Sequence, residues 1–305
     1  MKNKFLIGVI TVFVTITICI ILLNFSNPSK KTFYFDRIFS KDTILTFDKE
    51  FKKMNENEYV KYVYSDSLIV EHDVKVIDEI NKEFNFYIND IDFKNKVNKK
   101  LILPKNSNVL LCNLNEIYYA NNYLLYRFEI ETEKSVQIAD SKLKIFSLKT
   151  IPNSKNKLLC FGEYKVNESF ITGFFIVDVN TKQIKISKII EENKETSMPK
   201  NALIFAGYFN LNYEKTSLAY TCNKYSKIYL FDKNGFSTNE LKTSDNSPLP
   251  EILTNENGDS FYSRGATWTT NMGVFFKKDR IFIFSIRAKE DFKLIIDEYS
   301  IKNLI

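Results

Sequence analysis

Along most of the chain, short apolar runs alternate with polar breaks, at a spacing that belongs to strands rather than helices. The clearest unit is SLAYTCNKYSKIYLFDKNG (217–235): an apolar run, a polar break, a second apolar run and an Asp-Lys-Asn-Gly turn. Comparable runs are LIV (68–70), VLLCNL (109–114), NYLLYRFEI (122–130), KLLCFGEY (157–164) and FITGFFIVDV (170–179). MGVFF (272–276), RIFIFSI (280–286) and FKLIIDEYSI (292–301) continue the series. Helical spacing is confined to DKEFKKMNEN (48–57) and to VKVIDEINKEF (74–84), where Val76, Ile80 and Phe84 leave helix and strand in competition.

The runs recur in register. A strand-ending residue followed by turn chemistry falls at Asp78, Glu129, Asp178, Asp232 and Ser300, with gaps of 51, 49, 54 and 68 residues. Periods near this length mark radial or solenoid repeats. Asp before a turn bonds its own backbone, and Asn234-Gly235 tolerates the positive φ of a tight hairpin. IYLF, FFIV and FIFS are apolar on both faces, so they belong between layers and not on a sheet with one wet side. The expected fold is therefore all-β: a β-propeller of six blades, with five as the other count. The long last gap is where a degenerate blade would hide, and TFYFDRIF (32–39) is placed to complete the last blade.

Four segments resemble the TolB-like six-bladed β-propeller family of Bacteroidetes-type envelope proteins. They are DSLIVEHD (66–73), DSKLKIFSL (140–148), SLAYTCNKYSKIYLFDKNG (217–235), and NMGVFFKKDRIFIFSI followed by LIIDEYSIKN (271–303). The resemblance runs loosely over 60–301. DIDFKNKVNKK (90–100) stands where relatives often carry a Gly-x-Gly-Pro-Glu-like turn. It implies the fold and an anchored envelope location, and brings no catalytic residues with it.

The N-terminus points to a membrane. Lys2 and Lys4 precede FLIGVITVFVTITICIILLNF (5–25), an uncharged stretch long enough to cross about 30 Å of hydrocarbon as a helix. The expected layout is a cytoplasmic head (1–4), a transmembrane signal-anchor (5–25), a linker (26–31) and the propeller domain (32–305). A cleaved signal and a lipoprotein attached at Cys19 are the alternatives. Ile18 stands where a lipoprotein site wants a small residue, and no Ala-x-Ala pattern follows Leu23. The expected location is the cell membrane, single-pass, with the C-terminal domain extracytoplasmic, in the periplasm or at the cell surface.

Composition narrows the chemistry. A net charge of +6 is spread along the chain and carried mostly by Lys, without the stripe of a nucleic-acid binder. Cys112, Cys160 and Cys222 are an odd set in apolar runs and read as buried small hydrophobes, one disulfide among them being the other reading. No metal or cofactor is expected: Cys-x-x-Cys is missing and His72 is the only His.

The catalytic motifs fail on their own terms. His72 in EHD has its neighbours on the opposite strand face. Ser141-x-x-Lys144 and Ser154-x-x-Lys157 occur with Ser244-Asp245-Asn246 but without Lys-Thr-Gly, and the first lies in a strand-like run. An EF-hand centred on Gly235 would begin at Leu230 and end at Leu241, neither of them a ligand.

One loop stands out. YSRGATWTTNMG (262–273) holds the only Trp, and it follows the long polar stretch KTSDNSPLPEILTNENGD (242–259). Arg264 offers a fork of donors and Trp268 a rigid face; Thr267 and Asn271 add small polar groups. These four are the expected ligand contacts, against a structural role for Trp268 between blades. The expected function is an anchored extracytoplasmic module that binds an envelope protein or small ligand. A propeller hydrolase or lyase acting on glycan or peptide through central carboxylates, and a structural envelope scaffold, are the alternatives.

Overall fold

The computed structural model describes residues 59–63, 67–90, 96–112, 115–154, 156–196, 198–212, 216–243, 247–263, 271, 273–277, 280–285 and 295–300. Within these residues the protein is all-β apart from one helical turn.

Four sheets are antiparallel meanders of four strands in chain order. The first holds β1 (Tyr59–Val63), β2 (Ser67–Val76), β3 (Asn81–Asp90) and β4 (Lys96–Pro104). The second holds β5 (Ser107–Cys112), β6 (Glu116–Asn121), β7 (Leu124–Glu129) and β8 (Lys134–Gln137). The third holds β9 (Leu143–Thr150), β10 (Lys157–Val166), β11 (Ser169–Asp178) and β12 (Ile184–Asn193). The one-turn α1 (Lys200–Ile204) leads to the fourth, with β13 (Gly207–Leu211), β14 (Ser217–Cys222), β15 (Lys227–Asp232) and β16 (Ser237–Lys242). A short hairpin follows, β17 (Ile252–Thr254) and β18 (Ser260–Tyr262). The last described sheet has three strands, β19 (Gly273–Lys277), β20 (Arg280–Ser285) and β21 (Ile295–Ser300).

The two-sided hydrophobicity read from the sequence is the packing principle. Along β10, Leu158 and Cys160 face the second sheet, while Leu159 and Phe161 face the fourth. Along β14 and β15, Tyr220 and Phe231 face the third sheet, while Ala219, Ile228 and Leu230 meet Val274, Ile281 and Ile283 of the last sheet. Leu101 and Leu103 meet Ile117 and Tyr119 in the same way between the first two sheets. A period of two sends alternate residues into opposite interfaces, so a middle strand is apolar on both faces over most of its length. The outer strand β12 has water on one side and reads ISKII with lysines between. Successive first strands neighbour one another from the second sheet on: β5 lies beside β9, and β13 beside both β9 and β19. Meanders stacked face to face with their first strands adjacent form a β-propeller.

Two regions left open by the sequence are decided in the structure. The segment 74–84 is strand, turn and strand: β2 ends at Val76 and β3 starts at Asn81. Asp78 caps that turn by accepting from the backbone N–H groups of Ile80 and Asn81, which removes those donors from a helix. Asp78 therefore closes a second strand, whereas Glu129, Asp178, Asp232 and Ser300 end third strands or the third strand of the last sheet. In the 68-residue gap lies the β17–β18 hairpin, but it does not separate the fourth sheet from the last. Its Tyr262 hydroxyl donates to the Leu203 carbonyl of α1, and Ile252 packs on the core between the third and fourth sheets.

Residues 1–58, including the expected anchor at 5–25, TFYFDRIF and the helix expected at 48–57, lie outside the described residues, as does His72's side chain. Among the described residues no helix is long and apolar enough to cross a membrane. Cys112, Cys160 and Cys222 are buried and form no disulfide among the described residues, and desolvation raises the thiol pKa of Cys160 and Cys222.

Candidate functional site

In a four-stranded meander the turn between strands two and three falls at the same end as the link to the next sheet. Hydrogen bonds knit these segments together. The Lys105 N–H donates to the Ile80 carbonyl, joining the β4–β5 link to the β2–β3 turn. The Asn106 amide donates to Asn122 Oδ1 at 3.3 Å, and the Ile145 N–H to the Tyr123 carbonyl at 2.8 Å, carrying the connection to the third sheet. Further round, the Asn223 N–H donates to the Ala206 carbonyl and the Asn271 N–H to the Asn223 carbonyl.

A cavity of about 640 Å³ opens at this end. Lys82, Lys105, Asn106, Ser107, Asn108 and Asn122 supply its polar wall. Ala120, Tyr123, Ile145, Phe146 and Ala202 supply the rest. Two cationic side chains line it and, among the described residues, no carboxylate does. Lys105 lies close enough to Asp78 to help hold that carboxyl below its ordinary pKa, after the larger effects of the Ile80 N–H and the Asn81 amide. Neither lysine makes a salt bridge among the described residues. Ser107 is buried, and its hydroxyl has no hydrogen-bond partner there.

The β6–β7 turn shapes the aromatic part. Asn122 and Tyr123 sit at φ of 47° and 67°, the backbone a two-residue hairpin needs. That conformation favours Gly at its second position; a tyrosine there costs about 1–2 kcal/mol. The Tyr123 ring is 43% exposed and meets Phe146 edge to face at 5.9 Å, and Phe146 leans on the core ring of Phe161 at 5.3 Å. NYLLYRFEI is thus turn for its first two residues and strand only from Leu124.

A second polar group at the same end is already satisfied. Buried Glu163 accepts from the Thr196 hydroxyl, and the Asn201 amide donates to Thr172 Oγ1 at 2.6 Å. Lys224 stands over the Tyr262 ring at 4.6 Å, and its partial burial lowers its pKa.

Of the residues singled out from the sequence, Asn271 is buried; its amide donates to the carbonyls of Cys222 at 2.8 Å and Tyr225 at 3.3 Å. It pins the chain entering the last sheet onto the β14–β15 turn. Arg264, Thr267 and Trp268 lie outside the described residues. The flanks of that segment, Ser263 and Asn271, are bonded to Glu251 and Asn223. The cavity residues escaped the sequence pattern because they come from links, turns and strand ends of three sheets and from α1. The readable signal was Asn122-Tyr123 where turn chemistry calls for Asn-Gly.

No protein-family model matches the chain, and no curated protein matches it. Solved structures similar to it include the β-propeller domain of Cps50 (Swd1) from Myceliophteria thermophila, at 11% identity and a TM-score of 0.38, covering 82% of this chain and 74% of that one. A protein of unknown function from Bacteroides caccae aligns at 14% identity and a TM-score of 0.34, over 77% and 73% of the two chains. The tricorn protease aligns at 11% identity and a TM-score of 0.40 over 84% of this chain, which spans only 30% of that protein.

Proposed function

We propose that this protein is a membrane-anchored, extracytoplasmic β-propeller of the TolB-like type that serves as a binding module, taking its ligand at the end where the inter-sheet links converge. The observation that carries this reading is the cavity there: two ammonium groups without a salt bridge among the described residues, three amides and an exposed tyrosine held in a costly backbone conformation. Backbone strain of this kind persists where the surroundings hold it for a purpose. A lining of cations, amides and an aromatic ring supports a binder over a carboxylate-dependent hydrolase or lyase.

Residues 5–25 are the anchor in this reading, and the segment 264–270, tied at both flanks to the same end, extends the binding face with Arg264, Thr267 and Trp268. The serial packing of five sheets supports the five-blade count over the six first expected, with TFYFDRIF (32–39) as the fourth strand of the last sheet.

The test uses the full chain in its membrane. Alkaline carbonate should leave it in the membrane pellet, and protease added from the extracytoplasmic side should digest the β-domain. Release by carbonate, or protection from that protease, would remove the anchor and its orientation. Trp268→Ala and Lys105→Ala should each keep the parent melting temperature while losing partners captured from solubilised envelope. A Trp268 variant that fails to fold would assign that residue to packing.

A further inference from the structure

The ligand class follows from what the cavity offers. Resting on the binding reading above, we propose that the cavity between the first three sheets is a site for an acidic saccharide, one or two sugar units bearing carboxylate or sulfate.

Three independent features converge. First, Lys82 and Lys105 place two positive charges on one wall without salt-bridge partners among the described residues, and Asp78 beside Lys105 is occupied by three donors of its own turn. Lysines without partners in a concave wall attract an anion, and a cleft with one sign of charge concentrates such ligands.

Second, the remaining polar groups are neutral and two-sided. Asn106, Asn108 and Asn122 carry amide donors and acceptors, with one Asn106 donor spent on Asn122 Oδ1. A ligand rich in hydroxyls uses such groups in both directions; a phosphate or a bare carboxylate uses only donors. Arg, whose fork suits phosphate, does not line the cavity among the described residues.

Third, Tyr123 gives the cavity an aromatic wall. Its ring is backed by Phe146 and its hydroxyl end is free for polar contact, an amphipathic surface that suits a pyranose with C–H groups on one face and hydroxyls at its rim. About 640 Å³ lies within the range of pockets that enclose small ligands. A tyrosine in this φ > 0 position costs more than the glycine the turn prefers, a cost that its side chain offsets if the site uses the ring.

The experiment is calorimetric titration of the full-length chain in detergent with four probes. These are digalacturonate, its neutral methyl ester, a sulfated galactose disaccharide, and a short Asp/Glu peptide of equal charge. Digalacturonate or the sulfated disaccharide should bind at least tenfold more tightly than the neutral ester, and whichever binds identifies the acidic group. Lys82→Gln with Lys105→Gln should abolish that preference, and Tyr123→Gly should weaken sugar binding at least tenfold with the melting temperature within a few degrees of the parent. Equal binding of acid and ester would overturn the assignment of charge recognition. Binding of the peptide alone, lost in the lysine variant, would overturn the saccharide while leaving the cavity a binding site. Failure of all four probes with folded protein would overturn both.

Discussion

Two tight turns, Asn234-Gly235 and Asn122-Tyr123, solve one backbone problem with opposite priorities. Gly235 takes φ of 85° with no side chain, and the turn is then fastened between the third and fourth sheets. Asp232 accepts from the N–H groups of Asn234 and Phe236, the Ser187 hydroxyl donates to the Gly235 carbonyl, and the Asn153 N–H donates to the Lys233 carbonyl. Tyr123, at φ of 67°, carries the largest side chain such a position could be asked to hold short of Trp, and leaves it 43% exposed over an open cavity. Where the chemistry is structural, each polar group has a partner and the residue is the cheapest one. Where donors and a ring are left open in a costly backbone, the turn suits the ligand site proposed above.

The contrast is sharpened by substitution. The largest effect belongs to the closed side, at Phe174. Its ring lies within 4.8 Å of Phe231, 5.0 Å of Tyr220 and 5.0 Å of Tyr229, at the centre of the interface that the Gly235 turn caps. Phe174→Ala should cost roughly 3–5 kcal/mol in denaturant titration. Gly235→Val comes next: its Cβ would stand 2.7 Å from Ile151 Cδ1 in a conformation side chains avoid. The side-chain end of Ile151 gives way, so the loss should be roughly 2–3 kcal/mol.

Smaller still is the ion pair that spans the same two sheets. Burial pushes the Glu240 pKa up, but hydrogen bonds from Lys188, at 2.5 Å, and from Lys227 outweigh it and hold the carboxyl below its ordinary value. Its contribution is present above the unfolded carboxylate pKa and fades as pH falls through the lower folded value. The pair is partly exposed, so screening keeps it to about 1 kcal/mol or less. Glu240→Gln should lower stability at neutral pH and flatten its decline toward acid, measured by melting temperature across pH. The smallest stability effect belongs to the open side. In Tyr123→Gly, relief of the backbone cost and the added freedom of the unfolded chain oppose each other, leaving stability within about 1 kcal/mol of the parent. A large loss there would show that Tyr123 is structural after all, and the two turns would no longer differ in kind.

The legibility of this protein divides along the same line. Runs such as SLAYTC and KIYLF became β14 and β15 because a strand buried on both faces is dominated by apolar side chains, with only small hydroxyls such as Ser217 and Thr221 among them in β14, and that pattern is local. The Asp-capped turns at Asp178 and Asp232 were legible for the same reason: the acceptor and its N–H donors are two to four residues apart. Asp78 carried the same turn signal but belongs to a different strand, since an Asp cap marks a turn and not its place in the meander. The cavity was illegible. Lys82, Lys105 and Asn122 are ordinary polar residues in ordinary breaks, and only the stacking of three sheets brings them to one wall.

The sequence by itself determined the strands, their two-sided burial and the caps of their turns, because each depends on residues within one hairpin of one another. The tertiary structure decided that the β17–β18 hairpin rides on α1, that Asn271 clasps the β14–β15 turn, and that scattered lysines and amides share a cavity. Those outcomes depend on which links meet when whole sheets stack, and stacking is driven by apolar surface that fixes the order of the sheets without naming the polar groups carried at their ends.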